Sequence, residues 1–160
     1  MSWNVLYLRP RCEKKMGRHC EKLGLKFYLP LRQETKIYQR RKVTVGKPVF
    51  PGYFFVSYDR RGRLDLLKTN HIVKILQAPN ERKLLHELAQ IRKALCVDST
   101  LKACTALKKG RRVRILTGPF MGLEGMVWSL KRNSKVRLNV EMIGQAVAVE
   151  IDREFLETVD

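Results

Sequence analysis

Glycines set between short β-branched runs constrain residues 108–160 more tightly than any other feature constrains the rest of the chain. From Lys108 onward, Val113 and Ile115 alternate with Arg112 and Arg114, Gly118-Pro119 turns the chain, and Gly122, Gly125 and Gly144 mark further bends. Val127, Val136, Leu138, Val140, Val147 and Val149 supply strand positions between the bends. A period of two sends alternate side chains to opposite faces of a strand. Several short strands within about fifty residues predict a small all-β barrel, which buries just enough apolar surface to fold.

The N-terminal part reads differently. Trp3 to Leu8 is a short buried strand. Pro10 suits the first turn of a helix, Cys12, Met16, Cys20 and Leu23 make one apolar stripe, and Gly24 is a stop. The other faces of that helix carry Arg11, Lys14, Lys15, Arg18, His19 and Lys22. Phe27 to Ile37 and Val43 to Val49 predict a hairpin with a basic tip at Gln39 to Lys42, and Tyr53 to Tyr58 is a strong strand signal. Asp59 to Gly62 turns into a short helix around Leu64 to Lys68, and Ile72 to Leu76 is another strand. After Pro79-Asn80, a second long helix carries Leu84, Leu85, Leu88, Ile91 and Leu95. These elements predict an α+β domain, an antiparallel sheet flanked by helices, over residues 1–96. Residues 97–107 lose periodicity and are expected to be a short linker to the barrel at 108–160.

The chain carries a net charge of +18, with a pI near 10.2, and most of the excess lies in residues 1–58. A charge of roughly 2–8 already serves solubility in a small domain, so the surplus points to a polyanionic partner. The apolar run Val5-Leu6-Tyr7-Leu8 is too short for a signal or a membrane span, and a cytoplasmic protein without membrane contact is expected. Cys12 and Cys20, like Cys96 and Cys104, are eight residues apart. On one helix that spacing is about 12 Å, too far for one zinc ion. Reduced thiols, no metal and no cofactor are expected. The acids are scattered, and His19, His71 and His86 have no evident partners, so no enzyme is expected.

Residues 110–127, Gly-Arg-Arg-Val-Arg-Ile-Leu-Thr-Gly-Pro-Phe-Met-Gly-Leu-Glu-Gly-Met-Val, resemble a KOW motif at every fixed position of G-x-x-V-x-I-x-x-G-P-F-x-G-x-x-G-x-V. That motif alone leaves a ribosome-associated RNA-binding protein open. Trp3, Tyr7, the following helix and Pro48-Val49-Phe50-Pro51-Gly52-Tyr53-Phe54-Phe55-Val56 resemble the N-terminal domain of the NusG transcription factors. Those show P-[LV]-F-P-G-Y-[LVIF]-[FL]-V at this point. The resemblance spans essentially the whole chain and implies an α+β N-terminal domain followed by an SH3-like KOW barrel.

The resemblance also implies roles. Tyr7, Tyr53 and Phe55 match an aromatic wall that holds the clamp helices of the RNA polymerase β′ subunit. Lys15, Arg18, His19, Arg40, Arg41 and Lys42 are expected to face upstream or non-template DNA, where cations bind by releasing counterions. Met142 and Ile143 match barrel positions that meet a small-subunit ribosomal protein or the termination factor Rho; Phe120 is either a core residue or one presented on a loop, and in the second case is expected to join that partner surface. A monomer is expected. The strong basicity and short linker fit an operon-specific antiterminator of the RfaH kind, although the valine-rich barrel segment argues against that paralogue's helical alternative fold.

Overall fold

A computed structural model describes residues 1–159, which divide into two compact units interleaved in sequence: Met1–Leu31 with Phe50–Glu81, and Arg32–Val49 with Arg82–Asp160. The first contains strands β1 (Ser2–Leu8), β2 (Lys26–Tyr28), β5 (Tyr53–Tyr58) and β6 (Ile72–Gln77), with helices α1 (Glu13–Leu23) and α2 (Arg60–Leu67). Its antiparallel sheet has the order β2-β5-β1-β6.

Strand alternation sorts the side chains. Leu6 and Leu8 on β1, with Phe54, Val56 and Tyr58 on β5, form one core with Cys12, Met16 and Cys20 of α1 and Leu66 of α2. Phe27 stacks on Phe54 at 5.4 Å between ring centroids. The predicted stripe of α1 is therefore its buried face, apart from Leu23, which is 43% exposed. The helix opens at Glu13 rather than at Pro10, because Arg11 adopts a left-handed φ of 64° that breaks the helical run. It stops at Gly24 as expected, where the amides of Gly24 and Leu25 bond back to Glu21 and Cys20. Asp59 is the cap of α2, its carboxylate accepting from the Gly62 amide at 2.8 Å.

The second unit holds a two-stranded ribbon, β3 (Leu31–Tyr38) and β4 (Arg41–Pro48), and the long helix α3 (Glu81–Val97). It also holds a six-stranded sheet of order β12-β8-β9-β10-β11-β7. The sheet strands are β7 (Ala103–Thr105), β8 (Arg111–Ile115), β9 (Glu124–Val127), β10 (Asn133–Val140), β11 (Gln145–Asp152) and β12 (Leu156–Thr158). The predicted alternation holds along β10, where Ser134, Val136, Leu138 and Val140 are buried. Helix α3 meets this sheet through Gln90, whose side-chain amide donates to the Glu124 carbonyl at 2.8 Å and accepts from the Glu124 amide at 2.7 Å. One side chain thus pairs like a strand residue with the start of β9.

Two local readings change. The long stretch expected from Phe27 to Ile37 breaks at Leu29-Pro30, since proline lacks the N–H a continuous ladder needs; β2 joins the first sheet and β3 the ribbon. The segment 97–107 is only partly irregular, because Ala103–Thr105 pairs with β11 as β7.

Candidate functional site

The Pro48–Val56 block makes a tight bend that delivers the chain into β5. Gly52 accepts from the Leu8 amide at 2.7 Å, and its own amide donates to the buried carboxylate of Glu13 at 3.0 Å. Its φ is +88°, and a Cβ there would fall 2.8 Å from the Tyr7 ring. Glycine is therefore required twice, by the backbone and by the aromatic ring packed against it. The bend sets Tyr53 opposite Tyr7 in the β1–β5 register, with ring centroids 5.2 Å apart at 53°.

Tyr7 is 41% exposed and Tyr53 is half-buried, so this aromatic pair is open to solvent. Phe55 is not. It lies on the same sheet face, two residues along β5 from Tyr53, but has no exposed surface. Sharing a face does not mean sharing exposure, and Phe55 is a core residue in this structure.

Beside β1 lies a basic surface. Lys15 and Arg18 are exposed on α1, and His19 is half-buried. The turn at Asn70-His71 brings in residues that the sequence did not mark. The Arg9 guanidinium donates to the Asn70 carbonyl at 2.8 Å, and His71 lies 5.8 Å from His19 between ring centroids. His71 is held below the usual imidazole range, first by partial burial and then by the nearby charges of His19, Lys15 and Arg9. Sequence gave no signal for this pairing, since the two histidines are far apart along the chain.

Arg40, Arg41 and Lys42 belong to the second unit and are exposed at the ribbon tip. The turn is tighter than expected: Gln39 and Arg40, with φ of 47° and 65°, make the two-residue bend, and Arg41 and Lys42 already lie in β4. Thr35 and Thr44 face each other across the ribbon, with hydroxyls 3.3 Å apart. Toward its base Glu34 pairs with Lys47 at 2.8 Å and Arg32 at 3.2 Å, leaving the net positive charge toward the tip.

In the barrel, Phe120 and Met142 are half-buried, but Ile143 is nearly fully buried. The short 3-10 turn Glu141–Ile143 rolls Ile143 inward, so an exposed Met142–Ile143 pair does not form. The open apolar surface lies instead around Phe120, at Leu116 and Met121, with Phe155 accepting from the Leu116 amide at 2.8 Å.

Among the described residues, no cluster of three or more His, Cys, Asp or Glu could hold a metal, and no helix is long and apolar enough to cross a membrane. The cysteines are unpaired, and burial pushes the Cys20 thiol up to about 12, which keeps it protonated and inert.

Residues 1–95 match a family model described as "Transcription termination factor nusG". The "Transcription termination/antitermination protein NusG" of Borreliella burgdorferi is 23% identical over 183 aligned positions, covering 99% of this chain and 98% of that protein. The protein of the same description from Thermus thermophilus is 25% identical over 128, covering 70% of this chain and 68% of that one. A solved structure described as "Domain interaction in Thermotoga maritima NusG" shares the fold at a TM-score of 0.53, with 18% identity over 99% of this chain and 97% of that one.

Proposed function

Since the chain belongs to the NusG family of transcription termination and antitermination factors, we propose that it holds RNA polymerase through the exposed Tyr7–Tyr53 pair. The observation that carries this reading is the pair itself: two solvent-open aromatic rings, locked by a glycine bend, on a rigid sheet face. Aromatic rings give large, rigid contact area, and an apolar helix face packs well against them. The occupant is a helical element of the polymerase, the β′ clamp helices. Phe55 contributes by backing Tyr53 from within the core.

Lys15, Arg18 and His19, with Arg9 and His71 beside them, face the upstream or non-template DNA, and Arg40, Arg41 and Lys42 of the second unit make a DNA contact of their own. The barrel over residues 108–160 recruits a further partner, a small-subunit ribosomal protein or Rho, through Phe120 and Met142. Residues 1–96 carry the polymerase contact. The protein acts by binding and not by catalysis, in the cytoplasm.

The test is direct. Tyr7→Ala and Tyr53→Ala should fold normally by circular dichroism and lose affinity for RNA polymerase. Undiminished affinity in both variants would remove the pair from the interface.

A further inference from the structure

The turn after α2 sets a histidine against one on α1, and both backbones are held in place. Thr69 and Asn70 bond back to Leu66 and Leu67, and the Thr69 hydroxyl accepts from the His71 amide at 3.3 Å. Asn70 adopts a left-handed φ of 61°. The His71 carbonyl accepts from the Arg9 amide at 2.8 Å, and the Asn70 carbonyl takes the Arg9 guanidinium. The turn is thus tied both to α2 and to the residue that follows β1. His19 comes from the regular helix α1, one turn after Lys15, so these two share a helix face.

His19 and His71 stand 5.8 Å apart between ring centroids, inclined at 41°, and each keeps part of its surface in solvent. The charges acting on His71 are His19, Lys15 and Arg9, and no carboxylate is among them. Glu13 is taken up by the Gly52 amide, and Glu21 lies roughly 200° around α1 from His19. Arg18 and Lys22 on α1, with Asp65 and Lys68 on α2, lie outside the set that acts on His71. Burial first, and then these like charges, keep His71 below the usual imidazole range, so in the free chain it is neutral at neutral pH. An anion held against both rings reverses that balance, because a phosphate oxygen within hydrogen-bonding reach favours the protonated imidazole. Lysine and arginine are already charged and gain nothing in this way.

We propose that His19 and His71 form a seat for one backbone phosphate of the bound DNA strand, and that the seat takes up a proton as the strand binds. The seat rests on the DNA-facing reading of this surface. Each ring donates an N–H to a phosphate oxygen, and one proton from solvent goes to a ring nitrogen. Lys15 and Arg9 attract the same group. Proton uptake and strand binding are linked, so each favours the other. Affinity therefore rises as pH falls through the range in which the occupied seat gains its proton. It levels off below the lower range in which the free chain has already gained it.

The full chain is titrated with single-stranded oligothymidylate of about ten nucleotides, within the usual single-strand site size. Ionic strength is held constant while pH runs from about 8 to about 5.5, the span in which imidazoles change charge. Affinity should be about tenfold higher at the acid end, the factor that raising one group's pKa by a single unit produces. His71→Gln should bind like the unaltered chain at the alkaline end and lose the rise, and His19→Gln should reduce it. Proton NMR of the three histidines, assigned with these variants, reads the same event directly. In the DNA-saturated chain His71 should titrate at higher pH than in the free chain, while His86, on α3, should not move. A His71 titration unchanged by DNA, or an equal rise in the His71→Gln chain, would overturn the seat and leave DNA binding standing. Absence of binding at every pH would overturn the DNA reading itself, and the seat with it.

Discussion

The ring of Tyr7 occupies the space a side chain at position 52 would need, while Tyr53, the next residue, packs its own ring against Tyr7 at 5.2 Å. One glycine thus sets the geometry of the aromatic pair, and substitutions at the three positions should be coupled.

Gly52→Ala should destabilise the fold by about 1–3 kcal/mol, because the backbone sits at φ +88° and the new methyl meets the Tyr7 ring. Combining it with Tyr7→Ala should cost less than the sum of the single changes, since the steric part disappears and the backbone part remains. Urea unfolding of the four members of the cycle measures the coupling. Strict additivity would show that the ring moves away freely.

Phe55→Ala and Tyr53→Ala should separate folding from binding. Emptying the fully buried Phe55 site should cost about 3–5 kcal/mol of stability. Tyr53→Ala should change stability much less and weaken polymerase binding by about 1.5–3 kcal/mol if its contact is desolvated. Chemical denaturation and a polymerase-binding titration read the two quantities independently. A Tyr53→Ala chain as unstable as Phe55→Ala would return Tyr53 to the core.

Glu87 supplies a pH dependence. Its carboxyl is pushed up to about 7 by burial, an effect that Lys83 and His86 oppose, and it accepts from the Glu141 amide at 3.1 Å. The folded state holds this proton more tightly than the unfolded chain, whose carboxyl titrates near 4.5. Its contribution is therefore fully present below about pH 4.5 and is lost as pH rises to about 7. The loss should be about 1–2 kcal/mol after discounting for solvent screening of a partly exposed group. Glu87→Gln keeps an acceptor for Glu141 and should flatten that part of the profile. Stability curves at pH 5 and pH 8 that fall equally in both chains would place the dependence elsewhere.

Changing Lys15, Arg18, Arg40 and Arg41 to Gln should leave stability nearly unchanged, because exposed charges contribute little. Association with a transcribing complex that has a displaced DNA strand should weaken. Its log–log salt dependence should flatten by about 0.7 for each single-strand phosphate contact removed. Salt titrations with and without the non-template strand make the comparison. Equal losses in both complexes would show that these residues touch protein or nothing.

The chain's local patterns were enough to read both strand-rich regions, the α1 stripe with its Gly24 stop, and the KOW and Pro48–Val56 motifs. Each depends on residues a few positions apart, where the period of a strand or helix decides which side chains share a face. That Tyr53 and Phe55 share a face was legible in this way. That one is open and the other sealed was decided by tertiary packing, because exposure depends on what covers a face and not on periodicity. The same reason turned Ile143 inward, placed His71 beside His19, and set Gln90 against β9. Local sequence determined the elements and their faces; only the assembled fold determined which faces remained free to meet a partner.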